Sequence, residues 1–392
     1  MDMEFLSQSN IRSEVYEAYK PSEYSNMWFS AFFVLAVGDE AVKLVITKIP
    51  AILRKYIHVI CILADDNEAS ATFERIRHCF RSVFVIGLGI GGCGKNAMLG
   101  YETIHPLSDK LAFKINSHLN SLKSEFGVLP SVFITLNFSG GTSSGYVLCV
   151  SERIKQLVRN IEPKAHIIDI VSISRGDYPP QIANSVLVTL KLLESSDTLV
   201  LTYFDREPTL RKLSDLNLIA TIESLLLAKY RAGKEGIDIT DLIGRGLFTT
   251  NTEYRNAKYL GISELDGENV FKLVKKAVDF GDSFHARAVF GARYADSVRI
   301  SIISPVSVAD LGLTDKKFES TKNVMAECFE LPIPFIPISA TAFLRGNGLT
   351  KGNFLQNHRK FAIQAIPELQ SYLNTEIADN IDLESFLRGD GE

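Results

Sequence analysis

From Ala31 onward the alternation of apolar and polar positions repeats one unit: a short continuous apolar run, a polar or glycine-rich turn, then apolar residues at helical spacing. Phe32 to Val37 suits a strand covered on both faces, and Ala41 to Tyr56 has helical spacing with a kink expected at Pro50. Ile57 to Leu63 predicts the next strand, closed by Ala64 to Ser70 and a helix to about Phe80. A third strand, from Val83, runs into the glycine loop Gly87-Leu88-Gly89-Ile90-Gly91-Gly92-Cys93-Gly94-Lys95-Asn96, and helical spacing resumes from about Pro106 to Phe126. Val132 to Phe138 then meets Ser139-Gly140-Gly141-Thr142-Ser143-Ser144-Gly145 and a second helical pattern; His166 to Ser172 and Thr198 to Tyr203 are the next strands. Such alternation predicts an α/β fold whose parallel sheet binds ligands at the carboxyl ends of its strands.

Beyond it, Ser214 to Tyr230 reads as one long helix, with Leu218, Ile219, Ile222, Leu225 and Leu226 on one face. Asn269 to Phe280 is helical, and His285 to Phe290 and Ser297 to Ser304 form two strands around Gly291 to Asp296. Phe335 to Phe343 predicts a further strand, and Leu355 to Ile381 a largely helical stretch with Pro367 inside it. The polar opening segment before Asn26 carries Phe5, Tyr16, Tyr19 and Tyr24; it is either disordered or packed through those rings.

Composition narrows the function. The 392 residues leave room for two domains with real cores, and 46% hydrophobic with 22% charged residues is the balance of a soluble globular chain. A net charge of -4 argues against direct nucleic-acid binding, which needs clustered Lys and Arg. Five scattered cysteines read as reduced thiols. Met27 to Val37 falls well short of the roughly 20 apolar residues that span a bilayer. The expectation is a cytoplasmic protein with no membrane span.

Two stretches carry candidate chemistry. Where Phe138 meets Ser139, unpaired amides at a helix start suit an anion, Gly140 and Gly141 let backbone approach it, and Thr142, Ser143 and Ser144 add hydroxyl donors. The plain alternative is a glycine-rich turn with no ligand. In the other stretch Gly89, Gly94 and Lys95 fit Walker A spacing, with Asn96 where a hydroxyl holds magnesium. A dinucleotide fingerprint is the weaker fit, since no strand ending in an acid follows at the usual distance.

The turn Ser139 to Gly145 resembles the Gly-Gly-Thr-Gly-Ser-Gly signature by which tubulin and FtsZ hold the phosphates of GTP, with Ser143 where the family has glycine. Gly87, Gly89, Gly91 and Gly92 resemble the loop that the family wraps around the γ-phosphate. Phe32 to Glu40 then matches the first strand and first phosphate loop (Gly38, Asp39, Glu40), with most of that loop's glycines missing, and Ile57 to Ser70 matches the second strand and its Asp-bearing loop. The resemblance implies ribose and phosphate contacts from Arg175 and Asp177. It also implies that Asp205 stands beside the base, with Phe204 in place of the family's guanine-reading asparagine, and that Asp215 and Asn217 at the start of the long helix are candidate base contacts. Gly236 to Leu242 resembles the acidic loop that FtsZ inserts into the next subunit, which makes Asp238 and Asp241 the catalytic pair.

The implied architecture is the tubulin/FtsZ fold. It comprises an arm (1–30), a Rossmann-like GTPase domain (31–213), a central helix (214–233), an α+β second domain (234–345) and a helical tail (346–392). The implied function is a GTPase that binds GTP and GDP, with Mg²⁺, and completes its site only at a head-to-tail contact, which generates filaments. An adaptor would bind through the arm or the terminal helix. The alternatives are a tubulin-fold scaffold with a degenerate site and a Walker-type ATPase using Lys95.

Overall fold

The computed structural model describes residues 32–49, 54, 57–127, 129–130, 132–163, 165–175 and 178–205, the strands 259–265, 297–304, 323–330 and 338–345, and 355–356, 358–360, 362–379 and 381–389. They fall into two compact units, one drawn from 24–206 and 362–388, the other from 207–361.

The first unit is built on six parallel strands: β1 (Phe32–Val37), β2 (Ile57–Leu63), β3 (Ser82–Gly87), β4 (Val132–Phe138), β5 (His166–Arg175) and β6 (Thr198–Asp205). Their order is β3-β2-β1-β4-β5-β6. Every residue of β1, β2 and β4 is buried, which is why these segments read as unbroken apolar runs. The crossover helices cover the two faces: α1 (Asp39–Lys48), α2 (Asp66–Ile76), α3 (Ala97–Ile104), α4 (Ser108–Phe126), α5 (Gly141–Cys149), α6 (Ser151–Ile161) and α7 (Pro179–Ser195). Phe33 lies at the centre of the core, stacked on Phe133 at 4.7 Å and on His58 at 5.3 Å.

Several expected boundaries shift, each for a local reason. α1 ends at Lys48, and Ile49 is extended because the residue before proline avoids the helical region; Arg54 is again helical, and the rest of 50–56 lies outside the described residues. α2 ends at Ile76, before Phe80. β5 and β6 continue to Arg175 and Asp205, so the strands contain residues the sequence reading put in loops. Pro179 and Pro180 open α7, where a missing N–H costs nothing. The tail is a series of short helices, α8 (Ile366–Gln370), α9 (Glu376–Asp379) and α10 (Leu383–Arg388), and Pro367 starts α8 rather than lying inside one long helix.

The second unit holds a four-stranded mixed sheet of β7 (Tyr259–Leu265), β8 (Ser297–Ser304), β9 (Asn323–Glu330) and β10 (Ile338–Arg345), ordered β7-β10-β8-β9. β10 pairs antiparallel with β7 and β8, and β8 pairs parallel with β9. The expected strand 297–304 is β8, and the one expected at 335–343 is displaced to β10. The arm, the long helix 214–230, the helix 269–280 and the strand 285–290 lie outside the described residues. Among the described residues no helix is long and apolar enough to cross a membrane.

One half-buried group links this packing to pH. His118 of α4 stacks on Phe84 at 4.3 Å, its buried Nε2 has no partner, and burial lowers its pKa from 6.5 to about 4. The unfolded chain therefore takes up a proton between those values that the folded chain refuses. Stability is full above about pH 6.5 and falls as pH drops toward 4. Denaturant midpoints compared at pH 7 and 4.5 should show a smaller acid loss in His118→Gln than in the parent; equal losses would place the acid sensitivity elsewhere.

Candidate functional site

In this strand order β1 and β4 are neighbours whose chains leave in opposite directions, which opens a crevice at their carboxyl ends. Gly38 caps α1 there at φ 83°, a left-handed value that disfavours any side chain. Its N–H donates to the Ile62 carbonyl at 2.8 Å, and a Cβ on it would lie 3.8 Å from the Ser143 nitrogen, so the turns after β1 and β4 face each other. Between them lies a cleft of about 210 Å³ lined by Gly38, Asp39, Glu40 and Lys43, by Ser139 to Ser143, and by Gly94, Lys95 and Gln181.

α5 begins on this cleft with Gly140 as its cap and no side chain satisfying its first amides. Nothing lies within 4 Å of where a Gly140 Cβ would point, so a ligand can approach the backbone there. The Gly141 N–H is taken by the Gly94 carbonyl; the amides of Thr142 and Ser143 that follow, with the positive end of the helix dipole, fit a phosphate. Four charged residues line the same cleft: Asp39 and Glu40, Lys43 and Lys95.

The loop after β3 starts at the sheet edge yet ends at β4. Leu88 and Ile90 donate to the Leu63 and Ala64 carbonyls, both at 3.0 Å, which lays the loop over the tip of β2. Gly89, Gly91, Gly92 and Gly94 all have positive φ, and at the last three a Cβ would meet nothing within 4 Å, so conformation rather than crowding demands glycine. The Gly94 carbonyl accepts from Gly141 N–H at 3.0 Å. Asn184 Nδ2, from α7, donates to the carbonyls of both Lys95 and Ser139 at 2.9 Å, bridging the two turns. Asn96 Oδ1 caps α3 by accepting from Leu99 N–H at 3.0 Å, so the Walker A spacing has no side chain in the hydroxyl's place.

The predicted site residues separate into groups. Gly38, Asp39, Glu40, Ser139, Gly140, Gly141, Thr142 and Ser143 come together around the cleft. Ser143, where the family has glycine, turns its hydroxyl back to accept from Phe138 N–H at 3.1 Å. Ser144 and Gly145 do not line the cleft: Ser144 is fully buried, and Gly145 abuts Gly100 of α3. Gly87 and Gly89 sit against the Asp66 side chain, which a Cβ on either would meet at 2.2 and 2.9 Å. Arg175 and Asp205 are register partners at the ends of β5 and β6, not loop residues. Asp177, Asp215, Asn217, Asp238 and Asp241 lie outside the described residues.

Sequence reasoning missed Asn184, Gly100, Lys43 and Gln181. Asn184 left a signal, a lone amide among Ile182, Ala183, Val186 and Leu187. Among the described residues no three His, Cys, Asp or Glu side chains converge to hold a metal ion.

Solved structures share this architecture over most of their length. CetZ2 from Haloferax volcanii, in a GTPγS-bound protofilament, superposes with a TM-score of 0.53 at 10% identity, covering 87% of this chain and 99% of its own. CetZ from Methanosaeta thermophila gives 0.53 at 15% identity, covering 91% and 98%. The chain has the tubulin/FtsZ fold. An FtsZ mutant from M. jannaschii agrees, with a TM-score of 0.52 at 16% identity and coverage of 81% and 91%. No protein-family model and no curated protein matches the chain. In a tubulin/FtsZ fold the collinear assignment of loops follows: the Gly38 turn is the first, the Gly87 to Asn96 loop the third and the Ser139 turn the fourth.

Proposed function

We propose that the cleft binds the phosphates of GTP or GDP and that the protein is a GTPase which polymerises head-to-tail into cytoplasmic, cytoskeletal filaments. The observation that carries this reading is the start of α5, which no side chain caps, facing the Gly38 turn across an open cleft at the β1/β4 switch point. The GTPγS-bound protofilament of CetZ2, which shares the fold, supports it. In this reading Asp238 and Asp241 arrive from the next subunit to orient the attacking water. Arg175 and Asp177 serve the ribose and phosphates, and Asp205, Asp215 and Asn217 the base. Mg²⁺ would accompany the triphosphate. An adaptor would dock on the arm or the terminal helices.

Sedimentation with GTP, GDP and no nucleotide, alongside phosphate release against protein concentration, tests the proposal. GTP should bring a pellet and a threshold concentration above which release rises steeply. Asp238→Ala should cut release by about a hundredfold or more while leaving GTP binding intact. Release that stays proportional to concentration, with no pellet, overturns it. The second reading, a tubulin-fold scaffold with little or no nucleotide binding, is favoured by Asp39 and Glu40 at the cleft wall, whose carboxylates repel phosphate.

A further inference from the structure

The first phosphate loop of this chain brings two carboxylates, Asp39 and Glu40, to a cleft that on the reading above must accept a triphosphate. Like charges a few ångströms apart oppose binding strongly unless a cation stands between or beside them. Resting on that reading, we propose that Lys95 is a phosphate-binding residue of this cleft, its ammonium group contacting the outer phosphates of the bound nucleotide from the same subunit.

The geometry sets this lysine apart from an ordinary surface one. Its loop is pinned at two successive carbonyls, Gly94 O by the Gly141 N–H at 3.0 Å and Lys95 O by Asn184 Nδ2 at 2.9 Å. The first of those donors is the opening residue of α5, and the second also holds the Ser139 carbonyl at 2.9 Å. Movement of the phosphate turn and of the Lys95 backbone is therefore coupled through single hydrogen bonds at both points. The Lys95 Nζ lies 4.9 Å from the centroid of the Tyr178 ring, a cation–π distance, and Tyr178 caps α7, the helix that carries Asn184. A long side chain laid along a ring loses less rotamer freedom when a ligand arrives than one free in solvent. Lys95 lines the same cleft as Gly140 and Thr142 and offers three donors as a point charge, the mode by which lysine holds phosphate.

Titration of the full-length protein with GTP, GDP and GMP at 50 and 200 mM salt, comparing the parent with Lys95→Gln and Lys95→Arg, tests the proposal. Lys95→Gln should weaken GTP about ten- to a hundredfold and GMP much less, with a shallower salt dependence for GTP. Lys95→Arg should stay within about threefold of the parent, since it keeps the charge. GTP affinity and salt slope unchanged in Lys95→Gln overturn the role of Lys95 and leave the nucleotide reading standing. Equal losses in the Gln and Arg variants indicate that the residue shapes the loop, and overturn it as well. A parent that binds neither GTP nor GDP removes both readings together.

Discussion

Gly145→Ala is expected to cost the protein about 3 kcal/mol of stability and, on the function proposed above, to take nucleotide binding with it. A Cβ at this position would stand 2.2 Å from the carbonyl carbon of Gly100, 2.4 Å from its oxygen and 2.7 Å from its Cα. All three are backbone atoms, so no rotamer change relieves the clash and α3 must move away from α5. A Cβ on Gly100 would in turn lie 2.1 Å from the Gly141 carbonyl oxygen. The two helices therefore touch backbone to backbone through Gly100, Gly141 and Gly145. Separating them pulls on Asn96, whose carbonyl accepts from Gly100 N–H at 3.1 Å, and so lifts the third loop from the phosphate turn.

Chemical denaturation and GTP titration of the same variant check both halves of the expectation. Gly140→Ala is the contrasting case. Gly140 is extended, at φ −77°, with open space where its Cβ would project, so that variant should fold like the parent while obstructing the phosphate. Parent-like stability in Gly145→Ala would mean the helices do not meet in this way.

Lys155→Met should be comparably damaging, by about 3–5 kcal/mol, for an electrostatic reason. Lys155 Nζ lies 2.5 Å from Asp169 Oδ2, and the two side chains are 3% and 1% exposed. Asp169 also accepts from Ser196 Oγ at 2.6 Å and from Thr135 Oγ1, while Lys155 donates to Ser195 Oγ at 3.0 Å. Burial lowers the pKa of Lys155, and the Asp169 carboxylate opposes that shift. Removing the lysine strands a carboxylate in the core. The double variant Lys155→Met with Asp169→Leu, which leaves no charge behind, should recover most of the loss. A single substitution close to neutral in urea denaturation would show that the pair carries no such burden.

β1, β2 and β4 were legible because each is buried on both faces and so has no polar alternation to confuse it. The ends of β5 and β6 were not. Arg175 and Asp205 look like turn residues in sequence, but each is held in the ladder by the other's strand. α3 was missed although Ala97, Tyr101 and Ile104 are buried at helical spacing; its closest contact is through Gly100, whose role is the absence of a side chain, and apolar spacing is blind to that. The same blindness credited Gly145 to a ligand when Gly100 explains it. Within the cleft, the Ser139 turn was picked out by its glycines and hydroxyls between a strand and a helix, whereas Asn184 comes from 45 residues beyond Ser139 and is brought there only by tertiary packing. The mixed order of the second sheet could not be read from its apolar runs, which do not encode which strands are neighbours.

The place of β1 at the middle of its sheet also governs how the chain must be made. Val37 and its neighbours pair on one side with β2, which follows closely, but on the other with β4, where Phe32 meets Val132 a hundred residues later. At ribosomal speeds that interval lasts about 5–20 s, during which a fully apolar strand offers its bare edge to any other nascent chain. Synthesis without chaperones, or halted near residue 120, should therefore yield aggregates rather than a half-assembled sheet.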